Sequence, residues 1–121
     1  MSLPEELDVE LPNELEYKIK QVVHCLVQSR WQDLEMIACC ERVPPPDIKR
    51  VLERHGVVLA LHPEDKWPLC IEVYATESED TLFVDVDLWT TLGQCDLTLQ
   101  LSCVGEPGSN FMVRIEDLRV L

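Results

Sequence analysis

Six cysteines and three histidines are the side chains of this sequence whose chemistry would be easiest to recognise. The cysteines are Cys25, Cys39, Cys40, Cys70, Cys95 and Cys103. None of them forms a C-x-x-C pair, and His24, His55 and His62 do not complete a zinc-binding spacing. Cys95 and Cys103 fall on apolar strand positions, where cysteine behaves as a small buried hydrophobic residue. The sequence therefore predicts free thiols, which fit a reducing compartment such as the cytoplasm.

Three aspartates are the second candidate for chemistry. Asp85 and Asp87 alternate along one predicted strand and Asp96 lies on the next, so pairing of the two strands would bring them together. Such carboxylates would hold a hard cation or act as a general acid and base. Charged residues on a sheet face also prevent sheets from aggregating, and we favour that interpretation. The sequence predicts no cofactor, no metal ligand and no catalytic residue.

The familiar motifs of hydrolases, kinases and metalloproteases are missing from the sequence. It has no G-x-S-x-G, no H-E-x-x-H and no glycine-rich phosphate loop. Strand positions that would face the helices are almost wholly apolar, so they supply no acid, base or histidine. This pattern favours a non-enzymatic protein. The alternative is a small-molecule binder or enzyme with an apolar pocket between helices and sheet, with Trp31, His62 or Trp67 at its rim.

The charge of the chain restricts its partners. Its 121 residues include 10 Lys plus Arg and 23 Asp plus Glu, a formal net charge of −13. Residues 57–121 hold twelve acidic and three basic residues, a net charge of −9. Nucleic acid and anionic membranes are poor partners because they would dock against like charge. No apolar run is long enough to span a bilayer, and the acidic N-terminus does not resemble a signal peptide.

The hydrophobic pattern predicts helices first and strands afterwards. Helical spacing covers residues 15–27, with Asn13 as N-cap, and then residues 31–38 and 46–56. Alternation predicts strands over residues 57–62, 69–76, 81–90, 95–104 and 111–116, and the alternative for the last strand is that it runs on to the C-terminus. The short connections allow antiparallel hairpins only. We therefore expect an α+β fold, with N-terminal helices packed on one face of a curved antiparallel meander sheet of four to five strands.

Length and composition predict one folded unit. A chain of 121 residues buries enough surface for a single hydrophobic core, and 46% apolar residues are typical of globular proteins. Residues 1–11 are predicted to form an acidic flexible lead-in, and residues 12–121 a single α+β domain.

Alternation along the strands separates an inner from an outer face of the sheet. The inner positions are apolar: Leu82, Val84, Val86, Leu88, Cys95, Leu97, Leu99, Leu101, Cys103, Phe111, Val113 and Ile115. The outer positions mix aromatic and acidic side chains, and an ordinary solvated face is one interpretation of them. The other is a partner-binding surface that consists of Glu72, Tyr74, Phe83, Asp85, Asp87, Trp89 and Met112.

In the second interpretation, the apolar members of this set would anchor a partner and the acidic members would steer a basic one. We expect a small acidic protein-interaction module that recognises a basic protein, for example in an immunity-type or regulatory role. A homodimer through the same outer face is the alternative use of this surface.

The C-terminal part of the sequence carries several short motifs. They are Val86-Asp87-Leu88-Trp89-Thr90, then Gly93, then Asp96-Leu97-Thr98-Leu99, and the closing stretch from Ile115 to Leu121. With the helix and strand from residue 45 onward, they resemble a bacterial family known as a domain of unknown function. That family has Arg-Ser where this chain has Gln94-Cys95. The order of elements is also similar to the nuclear-transport-factor-like, or cystatin-like, roll, which hosts enzymes, ligand binders and dimerisation modules. Neither resemblance implies a particular activity.

Overall fold

The computed structural model describes residues 10–106, 108 and 110–120. Within these ranges the helices are α1 (Asn13–Val27), α2 (Trp31–Ile37) and α3 (Pro45–His55). The strands are β1 (Leu59–Ala60), β2 (Ile71–Ala75), β3 (Thr81–Thr90), β4 (Gly93–Val104) and β5 (Met112–Val120). This order confirms the predicted α+β class with N-terminal helices. Residues 1–9 of the predicted lead-in lie outside the described residues.

The helix ends follow from local chemistry. α1 includes Asn13 in its first turn, so the prediction that Asn13 is the N-cap is wrong. Pro12 is the N-cap, because its carbonyl oxygen accepts the first helical hydrogen bond, from the Glu16 amide at 2.9 Å. α3 begins at Pro45, since proline lacks only an amide hydrogen that the first turn leaves unpaired. It ends at His55, and Gly56 is the C-cap, whose φ of 71° is a left-handed conformation that glycine adopts without strain.

The strands form one open antiparallel sheet around β3. β4 pairs with one edge of β3, and β5 pairs with β4. β1 and β2 share the other edge of β3 end to end, with β1 opposite residues 89–90 and β2 opposite residues 82–86. The sheet is thus a meander from β2 to β5, and β1 lies beyond the end of β2 on the same edge of β3. β1 is shorter than the predicted strand 57–62 because the chain leaves β3 after Ala60, and Pro63 has no amide hydrogen to continue the ladder.

The other strand boundaries shift by a few residues. A short 3₁₀ helix (Trp67–Leu69) precedes β2, so that strand starts later than residue 69. β4 starts at Gly93 rather than at residue 95. β5 continues past residue 116 to Val120, in agreement with the longer of its two predicted extents.

The helices cover one face of the sheet through a shared core. Its fully buried members include Leu15, Ile19 and Val22 of α1, Ile48 of α3, and Val84, Val86, Leu97, Leu99 and Ile115 of the sheet. The predicted inner face is confirmed, although Leu82 and Cys95 are only half-buried. None of the helices among the described residues has the length and apolar character needed to cross a membrane.

An additional extended segment, which the sequence analysis did not predict, pairs with the free edge of β5. Cys39 lies parallel to Arg114. The Cys39 amide donates to the Val113 carbonyl at 2.8 Å, and the Cys39 carbonyl accepts from the Ile115 amide at 3.0 Å. This pairing fixes the loop between α2 and α3 against the sheet and brings Arg42 to the outer face.

Candidate functional site

Two aromatic and two acidic side chains lie opposite each other in pairs on the outer face of β2 and β3. Glu72 lies opposite Asp85, and Tyr74 lies opposite Phe83. Since side chains alternate along each strand, all four project from the same face. The Tyr74 side chain is 42% exposed and that of Phe83 is 48% exposed. We call these four residues the acidic-aromatic cluster.

The carboxyl group of Asp85 lies among like charges. Burial, followed by the Glu72 and Asp87 carboxylates, raises the pKa of Asp85, and hydrogen bonds with the Tyr74 and Gln100 side chains oppose this rise. No lysine or arginine in the described part of the chain forms an ion pair with any of these three carboxylates. Arg42 lies on the same face but pairs with Glu116, so these three carboxylates keep a negative potential that no direct ion pair neutralises.

Tyr74 contributes a hydrogen-bond donor as well as an aromatic ring. Its hydroxyl group donates to Glu72 Oε2 over 3.1 Å. Burial, the hydrogen bond with Glu72 and the nearby Asp85 carboxylate together raise the pKa of Tyr74 to about 12. The phenol is therefore protonated at neutral pH and remains a donor.

An open depression of about 560 Å³ lies beside the cluster. It is lined by Arg42, Tyr74, Phe83, Asp85, Gln100, Leu101 and Glu116. Glu116 accepts a hydrogen bond from Ser102 Oγ at 2.6 Å, and its Oε1 lies 3.3 Å from Arg42 Nε. Sequence reasoning missed Arg42, because its position depends on the pairing of Cys39 with β5 and has no local pattern.

Four of the seven predicted contact residues do not line this depression: Glu72, Asp87, Trp89 and Met112. Asp87 follows Asp85 on the same face, and its carboxylate accepts hydrogen bonds from Thr98 Oγ1 at 2.9 Å and Gln94 Nε2 at 3.1 Å. Trp89 is half-buried, with its ring centroid 6.1 Å from that of His62. Met112 is 71% exposed at the start of β5.

Asp85, Asp87 and Asp96 do not assemble into a cation site. Within the described ranges, no group of three His, Cys, Asp or Glu side chains is placed to hold a metal ion. The physical reason is an irregularity in the sheet, where Asp87 pairs with Thr98 but Trp89 pairs with Gln94. β4 therefore has two extra residues here, and Asp96 is displaced from the position opposite Trp89.

The six cysteines are all free thiols. Burial is the main cause that raises the pKa of Cys25, Cys40 and Cys70. Burial also raises the pKa of Cys103 to about 12. A thiol with a raised pKa forms little of the reactive thiolate, so these four are suited to the core rather than to nucleophilic chemistry.

Residues 23–121 match the model of a family described as Domain of unknown function (DUF7668). The chain belongs to this family. The acidic-aromatic cluster and the depression lie wholly within the matched residues. The resemblance to an uncharacterised domain family is thus confirmed, over a longer stretch than the motifs indicated. The comparisons with curated proteins and with solved structures give no match, so the likeness to the cystatin-like roll stays a prediction.

Proposed function

We propose that this protein is a small acidic interaction module that binds a basic protein through its outer sheet face. The observation that carries the proposal is the pairing of Glu72 opposite Asp85, neither of which forms an ion pair within the described residues, next to two half-exposed aromatic rings. Like charges directly opposite each other destabilise a sheet. A cationic partner would relieve this repulsion and bury the rings.

Arginine is the side chain that fits the face best. Its guanidinium group stacks on aromatic rings and binds carboxylates through two parallel hydrogen bonds. The contact between Arg42 and Glu116 is an example of a guanidinium bound to a carboxylate at the rim of the same depression. The net charge of −9 over residues 57–121 would accelerate the approach of a basic partner.

The test compares two variants that lose the same charge. E72Q/D85N removes two carboxylates from the cluster, and E77Q/E79Q removes two from the exposed turn between β2 and β3. Each protein is immobilised, exposed to a lysate and washed at low salt, and the bound protein is eluted at high salt. The association rate of the eluted protein is then measured. We expect wild type and E77Q/E79Q to retain the same basic protein. E72Q/D85N should bind it at least about tenfold more slowly, with a flatter salt dependence.

Equal loss of binding in both variants would contradict the proposal, because it would show attraction to net charge alone. Retention of no basic protein by the wild type would contradict it as well. Light scattering after size exclusion tests the homodimer alternative. A wild-type dimer that becomes tighter in E72Q/D85N would assign the face to self-association.

We place this function in the cytoplasm of a bacterial cell. The six free thiols support a reducing compartment, and the resemblance of the C-terminal motifs to a bacterial family supports a bacterial source. An immunity-type or regulatory role, in which an acidic protein covers the basic surface of another, would be one instance of such binding.

A further inference from the structure

A second cleft, of about 510 Å³, lies between α1 and the segment that connects β1 to β2. Glu16, Lys20 and His24 line its helix side, and their spacing of four residues places them on one face of α1. The connector contributes His62 and Trp67, among others. The cleft opens at the edge of the sheet rather than between helices and sheet.

The residues Trp67 and Glu16 form a fixed base for the cleft. Trp67 is 7% exposed, and its Nε1 donates to Glu16 Oε2 over 2.8 Å. The Lys20 ammonium lies 5.4 Å from the centroid of the Trp67 ring and 3.9 Å from Glu16 Oε2. Glu16 is therefore already engaged, whereas the distance to Lys20 leaves the ammonium hydrogens available to a ligand.

His62 presents one ring nitrogen as an acceptor. Its Nε2 lies 2.7 Å from the backbone carbonyl oxygen of Asp87. A carbonyl only accepts, so Nε2 carries the hydrogen and Nδ1 of the neutral ring is an acceptor. The His62 side chain is half-buried and lines the cleft. An edge contact with Trp67, with ring centroids 5.1 Å apart, holds the ring in place.

The two sides of the cleft offer groups for both ends of a zwitterion. The helix side carries the Lys20 ammonium and the His24 ring beside the Glu16 carboxylate, which Trp67 holds, and the connector side carries the Glu64 carboxylate and the His62 ring. Lys20 and Glu64 form no ion pair with each other in the described chain. Leu61, which is 51% exposed, adds apolar surface on the connector side.

We propose that this cleft binds a free α-amino acid with an apolar or aromatic side chain. The carboxylate would contact Lys20 and His24, the ammonium group would contact Glu64 and His62 Nδ1, and the side chain would cover Leu61. A simple anion or a simple cation would leave one side of the cleft without a partner, whereas a zwitterion satisfies both. The volume lies in the range of small-molecule sites. The site contains no residue of the acidic-aromatic cluster, so it does not depend on the proposed partner binding.

The experiment titrates the full chain with phenylalanine, phenylalaninamide and N-acetylphenylalanine. Binding is measured by calorimetry and by the NMR shift of the Trp67 indole N–H. Phenylalaninamide lacks the carboxylate and N-acetylphenylalanine lacks the ammonium group. We expect phenylalanine to bind at least about tenfold more tightly than either derivative and to shift the Trp67 signal.

Two variants assign the two ends of the ligand. K20Q should weaken phenylalanine binding about tenfold and leave the affinity for phenylalaninamide unchanged. E64Q should weaken phenylalanine binding and leave the affinity for N-acetylphenylalanine unchanged. K49Q, which removes an exposed lysine of α3, is the control and should bind phenylalanine as the wild type does.

Three outcomes would overturn the proposal. They are an unchanged Trp67 signal at millimolar phenylalanine, tighter binding of either derivative than of phenylalanine, and equal effects of K20Q and K49Q. K20Q leaves the acidic-aromatic cluster intact, so K20Q should capture the same basic protein as the wild type whether or not the cleft binds phenylalanine. Failure of the cleft proposal is therefore distinguishable from failure of the proposed function.

Discussion

The carboxyl group of Asp85 is harder to ionise in the folded chain than in water, because burial and two neighbouring carboxylates raise its pKa. A carboxyl group with a raised pKa in the folded state binds protons on folding. The free energy of unfolding therefore falls as the pH rises from the unfolded-state pKa of this group through its higher folded-state pKa. At neutral pH, ionised Asp85 destabilises the fold. Residues retained for binding often have this effect on stability.

Asp85→Asn should raise the free energy of unfolding at neutral pH by roughly 0.2–1 kcal/mol, the range for cross-strand charge pairs. The gain should disappear below the unfolded-state pKa of about 3.9, where the wild-type carboxyl group is protonated in both states. Urea unfolding on both sides of this pKa measures the difference. Glu79→Gln, in the exposed turn, is the matched control and should change little. A variant less stable than wild type at neutral pH would disprove this account.

At the level of elements, the gap between β1 and β2 leaves backbone hydrogen-bonding groups on the edge of β3 that need partners from elsewhere. Asp87 faces this gap, and its amide donates to the Cys70 carbonyl at 2.8 Å. Its own carbonyl accepts the hydrogen bond from His62 Nε2 at 2.7 Å. One histidine side chain thus replaces a backbone partner that a continuous neighbouring strand would supply.

His62→Ala should lower the free energy of unfolding by about 1–3 kcal/mol, because the Asp87 carbonyl loses its partner. His24→Ala is the control on α1 and should change it by less than about 0.5 kcal/mol. Urea unfolding measures both variants. Equal stability of the two would mean that water replaces the imidazole without loss.

Strand periodicity predicted the whole of β3 and the inner face of the sheet, since a slip of one residue would expose the core. It also put the cluster residues on one face. The shared edge of β1 and β2, the pairing of Cys39 with β5, and the extra residues of β4 were not predictable. The first two features join segments that are distant in sequence, and the third is a local irregularity in the register of the β3–β4 hairpin. The periodicity of side chains along a single strand reports none of them. The depression and the cleft depend on such contacts, so only parts of their linings were anticipated.

For the molecule as a whole, the net charge of −13 is poorly balanced by ion pairs. Among the described residues, Lys20 with Glu16, Arg30 with Asp33 and Arg50 with Asp47 are local helical pairs with exposed side chains. Exposed pairs of this kind contribute little to stability. Long-range repulsion among the acidic residues therefore opposes folding.

Added salt should stabilise the protein. Raising the ionic strength from about 0.01 M to about 0.1 M shortens the Debye length from about 30 Å to about 10 Å. The melting temperature should rise by a few degrees, and by less in E72Q/D85N. Sodium and potassium chloride should act equally, because screening depends on ionic strength. A melting temperature that stays constant, or that responds to one cation only, would rule out screening as the cause.

The connector between β1 and β2 starts and ends on one edge of one strand. Insertions and deletions among its exposed residues 63–66, between His62 and Trp67, would leave the register of every strand unchanged, so this part is free to diverge while the sheet is preserved. We expect chains of the same family to differ most in the length and polar residues of this connector. If the connector were exchanged between two members, the ligand selectivity of the cleft would change with it and the fold of the recipient would stay the same. The sheet would then act as a framework for interchangeable loops.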